Sequence, residues 1–153
     1  MSWISDRLKN RFSFKMKAIR QSRGDALFEA RAAQRWTSLT DGLQWDAKQL
    51  HRINRGTSFK QLSDYACRIS NSSTKIAVVV TADLAARTVR YSYEPQQTNI
   101  AVPEPGLLAL REGRNSVELY SADQRLNPER ARRVILEPLL SPGKPMEIRK
   151  TGT

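Results

Sequence analysis

The chain is poor in the residues that usually carry chemistry. Its 153 residues include one histidine, His51, and one cysteine, Cys67. A single cysteine excludes an internal disulfide framework and fits a reducing, cytoplasmic setting. Zinc sites built from His and Cys need more than one of each. The glycines never fall into GxGxxG or GxxxxGK[ST] order, so the common phosphate-cradling loops are absent. Gly143-Lys144 lacks the upstream glycine and is flanked by Pro142 and Pro145. No G-x-S-x-G elbow occurs. No window approaches 18 consecutive apolar residues, which excludes a transmembrane helix. The expectation is a protein without catalytic site, metal or cofactor. Cys67 is expected to be a buried small hydrophobe and His51 an exposed helix residue.

Acidic residues are scarce in one segment. Residues 1–23 hold Arg7, Lys9, Arg11, Lys15, Lys17, Arg20 and Arg23 against Asp6 alone, a net +6. The whole chain carries +11, so the remaining 130 residues carry only +5. A cationic concentration of this kind attracts polyanions. It is not a secretory signal, because charges interrupt every apolar run. Its basic, serine-containing make-up also fits an organelle-import segment.

Three segments follow from this: a basic amphipathic leader over 1–23, a single α+β domain over 24–140, and a flexible tail over 141–153. The tail's prolines and glycines favour fraying. In the leader, Ile4, Leu8, Phe12, Met16 and Ile19 share a helical stripe about 120° wide, with Lys15 projecting into it. A second, long helix is expected over about 24–55. Ser22 and Asp25 resemble a capping box at its start, and Gly56 is a stop signal. Phe28, Ala32, Trp36, Leu39, Leu43, Ala47 and Leu50 fall on one face of it. Asp41-Gly42 is turn-like, but the stripe keeps phase across it, which favours one helix. On the reverse side stand Leu27, Arg31, Gln34, Ser38, Trp45 and Arg52. A Trp of this size is expected to be covered, by the first helix or the C-terminal segment.

Residues 57–70 fit either a short helix or a strand. From 75 onward the period becomes two. Lys75–Thr81 and Arg87–Glu94 predict a hairpin, with Val89, Tyr91 and Tyr93 on one face. Leu107–Arg111 and Ser116–Ser121 predict another. Asn127-Pro128-Glu129 is a helix start, and that helix is expected to end or kink at Pro138. The whole predicts an antiparallel sheet of four to six strands under N-terminal helices, with a short C-terminal helix.

The functional expectation is a non-enzymatic binding protein. Its seven leader cations would contact a polyanion, nucleic acid or a ribonucleoprotein. Trp3, Phe14, Trp45 and Arg52 are the candidate partner contacts. The same leader suits an anionic membrane surface, a protein partner or self-association. A small ligand-binding or enzymatic α+β domain is a further alternative, with its pocket between helix and sheet.

Overall fold

The computed structural model describes residues 3–141, with side chains from Gly24 onward. One helix, α1, runs unbroken from Trp3 to Asn54. The start expected at Ser22 is therefore not a helix end. No proline occurs before Pro95, so nothing removes a backbone donor along this stretch. Continuing the helix pairs backbone groups that a capping box would satisfy only in part. At 1.5 Å per residue, α1 is about 78 Å long.

The helix ends through its backbone. Arg55 adopts a left-handed conformation, φ 62°, and its N–H donates to His51 O at 2.7 Å. Asn54 Oδ1 accepts from the Gly56 N–H at 3.1 Å. The chain turns at once into β1 (Thr57–Ser63), so the ambiguous residues 57–70 are strands. β2 (Ala66–Asn71), β3 (Ile76–Asp83), β4 (Thr88–Pro95), β5 (Gly106–Glu112), β6 (Val117–Ser121) and β7 (Gln124–Leu126) follow. Each pairs antiparallel with the next, in the order of the sequence. The sheet has seven strands rather than four to six. The β1–β2 hairpin accounts for two of the added strands. The third, β7, is only three residues long and too short to show a period.

The core lies on one face of this meander. Phe28, Ala32, Trp36, Leu39, Leu43 and Ala47 are buried along α1, and Leu50 is half-buried. They meet the alternate strand residues Cys67, Ile69, Val78, Val80, Val89, Leu108, Leu110 and Leu119. Val89, Tyr91 and Tyr93 share the core face as their alternation predicts. Trp36 Nε1–H donates to Asp64 O at 2.7 Å, so the aromatic fixes the β1–β2 turn as it fills the core. Tyr91 lies opposite Gly106 in the β4–β5 register. A Cβ there would collide with the tyrosine ring, so the ring fills the space the glycine leaves.

α2 (Pro128–Leu140) closes the remaining core with Ala131, Ile135, Leu136 and Leu139. Asn127 caps it, accepting from the Arg130 N–H at 2.7 Å. Pro138 does not end the helix, which runs on to Leu140. The carbonyls near its C-terminus find side-chain donors from β4 and from the β2–β3 turn. Tyr93 Oη donates to Ile135 O at 2.6 Å. Thr74 Oγ1 donates to Leu139 O at 2.9 Å. α2 is tied to α1 by Arg132 and Asp46, 2.7 Å apart. Gly42 makes room for that pair: a Cβ would stand 2.6 Å from Arg132 Cδ. Its role is a seat for the arginine stem, not a turn.

Candidate polyanion-binding surface

The seven leader cations, Arg7 to Arg23, all lie on α1, but their side chains fall outside the described residues. So do those of Trp3 and Phe14. What the fold fixes for them is a helical backbone continuous with the core-packed part of α1. A globular body of about 120 residues is roughly 35 Å across. The helix is about twice that length.

Trp45 and Arg52 can be placed fully. Both are exposed on the side of α1 away from the core stripe, about 10 Å apart along the axis. Trp45 is 60% exposed, so the cover expected over it is not formed. The reason is the continuity of α1. With the leader part of the same rod, no separate first helix folds back, and α2 packs elsewhere, against β2, β3, β7 and the Asp46 side of α1. Leu27, on the same side, is half exposed.

His51 and Cys67 do not come together. His51 is exposed on the last turn of α1, while Cys67 is sealed in the core. Burial pushes the Cys67 thiol up to about 12. That disfavours the thiolate a nucleophile needs. Burial also raises Tyr91, and it raises Tyr93 further, with the neighbouring Tyr91 adding to the effect. These two hydroxyls belong to the core. Among the described residues no group of three His, Cys, Asp or Glu side chains has metal-ligand proximity. Nor is any helix among them long and apolar enough to cross a membrane.

An open groove of about 430 Å³ runs between the end of α1 and α2. Leu50, Leu136 and Leu140 floor it, and Asp46, Arg132 and Glu137 stand on its rim. Its charges are mixed, and it lacks a convergent polar constellation of the kind small-ligand sites use.

Sequence reasoning confined the cations to the leader and missed a second set. Lys60, Arg68, Arg90, Arg111 and Arg125 all stand on the sheet face turned away from the helices, as their places between core residues show. The alternation of Arg87–Glu94 already put Arg90 on a polar face. What the sequence did not carry was the strand register that assembles the five.

No protein-family model matches the chain, and no curated protein or solved structure matches it either.

Proposed function

We propose that this is a non-enzymatic binding protein whose basic N-terminal stretch of α1 contacts a polyanion, namely nucleic acid or a ribonucleoprotein. The observation that carries the reading is the charge distribution on one helix. Seven cations and one acid lie between Trp3 and Arg23 of a rod about twice as long as the body is wide. Lys and Arg neutralise phosphates and release counterions, so such a rod binds a phosphate backbone without reading bases. Trp45 and Arg52 lie on the exposed side of the same helix and are included in the proposed contact surface.

An anionic membrane surface is the second reading, favoured by the stripe of Ile4, Leu8, Phe12, Met16 and Ile19. At 100° per residue, Lys15 falls within the arc of that stripe. Its long stem can carry the ammonium out to headgroups or to phosphates, so Lys15 suits either partner and the apolar stripe is what favours lipid. Replacing all seven cations by Gln keeps helix propensity and removes the charge. That variant is expected to lose binding to a 20-base-pair duplex. Retained duplex binding, or wild-type affinity confined to anionic vesicles, contradicts the nucleic-acid reading.

A further inference from the structure

We propose that the outer face of the seven-stranded sheet is a second docking surface, for a single strand of nucleic acid. This rests on nucleic acid being the partner, as above, but not on the helix making the contact.

The strand register sets out a diagonal of cations. Lys60 on β1 stands directly opposite Arg68 on β2. Arg68 faces Val79, and Val79 faces Ser92. Two residues along from Ser92, Arg90 faces Thr81 on one side and Leu107 on the other. One row further, Thr88, Ala109, Tyr120 and Arg125 line up across β4, β5, β6 and β7. Arg111 completes the far end, its guanidinium 4.9 Å from the centre of the Tyr120 ring. With strands about 4.8 Å apart, the band crosses roughly 30 Å from β1 to β7.

Four acids lie on this face or at its edge, and each is engaged; Asp123, in the β6–β7 turn, pairs with Arg111 at 3.5 Å. Glu94 pairs with Arg68 at 2.8 Å. Asp83 accepts the Ala86 N–H at 3.0 Å. Glu118 is held by Arg35 from α1 and by Ser116 Oγ. Lys60, Arg90 and Arg125 are exposed and have no acidic partner among the described residues. A cation on an edge strand blocks edge-to-edge pairing, which alone would explain Lys60 and Arg125. It does not explain Arg90, on the middle strand of the seven, or the like-charge opposition of Lys60 and Arg68, which destabilises a sheet.

The ground between the cations is low and partly apolar. Thr81, Ser92 and Ala109 are small. Leu107, beside Arg90, is half exposed, and Tyr120 is half-buried at the far end. Cations that track a backbone, interleaved with an aromatic ring and apolar surface for bases, are the chemistry of single-strand binding. A strand lying along the band meets cations at both ends and in the middle. The same set offers little to an acidic protein surface, whose carboxylates need no stacking ground.

The test is fluorescence anisotropy of a labelled 15-nucleotide oligo(dT) with the full chain. It compares wild type with K60Q/R90Q/R125Q, and with a control that removes three exposed cations away from both the sheet face and the exposed side of α1, K75Q/R114Q/R130Q. Far-UV circular dichroism checks that each variant is folded. The proposal expects the sheet variant to bind at least tenfold more weakly, and its log K against log[salt] slope to be shallower by about 2. The control should stay within about twofold. Sheet-variant binding within twofold of wild type overturns the proposal, and so does an equal loss in the control. So does a sheet variant that loses binding only to anionic vesicles or polyglutamate. The leader variant separates the two readings. If it alone loses nucleic acid, the helix reading stands and this one falls. If the sheet variant alone does, the reverse holds. If wild type binds no oligonucleotide, both fall.

Discussion

The Cys67 thiol faces Val80 across the β2–β3 register, out of reach of water. In the folded chain it holds its proton up to about 12, against an ordinary value of 9.0. The unfolded chain gives up that proton sooner. The stability that the neutral thiol contributes is therefore complete below pH 9 and is lost progressively between pH 9 and about 12. Tyr91 and Tyr93, also raised, act in the same direction from about pH 10 upward. Urea midpoints measured from pH 8 to 10.5 should fall more steeply in wild type than in Cys67→Ala, which removes the proton and leaves a side chain that fits the same space. Parallel curves would contradict the burial. Tyr93 tests a different bond. Its hydroxyl holds Ile135 O, so Tyr93→Phe should cost about 1 kcal/mol in urea unfolding. An unchanged midpoint would mean that the carbonyl is satisfied elsewhere.

At the scale of elements, α1 organises everything else, and two glycines in it should respond in opposite ways. Gly24 has nothing within 4 Å of where a Cβ would sit. Gly24→Ala should gain about 0.5–1 kcal/mol of helix propensity and slow amide exchange around residues 24–28. Gly42→Ala gains the same propensity but displaces Arg132 from Asp46, so its unfolding midpoint should not rise. A full propensity gain at Gly42 would show that the Arg132 seat is dispensable. Much of this element was legible in advance. The spacing from Phe28 to Ala47 repeats every three or four residues, and it selected the buried face correctly. The hairpin of β3 and β4 and the Asn127 cap were legible for the same reason: period and capping chemistry are local. The Ser22–Asp25 signal misled because a capping box acts only where the chain enters a helix from outside. Residues 57–70 fitted two periods because β1 is an edge strand, exposed at most positions after Phe59. Register settled them, and register is not local. The outer-face cations were hidden by the same fact, since Lys60 and Arg125 meet on one surface only after six strand pairings.

Across the whole molecule, charge is divided unevenly. A net +11 is a +6 helix segment joined to 130 residues that carry +5. The helical fold of α1 makes the first part a rod, and the meander spreads part of the second across an open sheet face. Neither feature needs a catalytic group. Both would make the proposed polyanion binding dependent on ionic strength, because the Debye length falls to about 8 Å at physiological salt.

The most direct measurement is the salt dependence of duplex binding, from 50 to 200 mM monovalent salt, for wild type and the seven-fold Gln variant. About five helix cations in contact with phosphates predict a log–log slope near −4.5 for wild type. The variant should show little binding and a nearly flat response. A wild-type slope near zero, or the same slope in both proteins, would contradict a polyanion-binding helix.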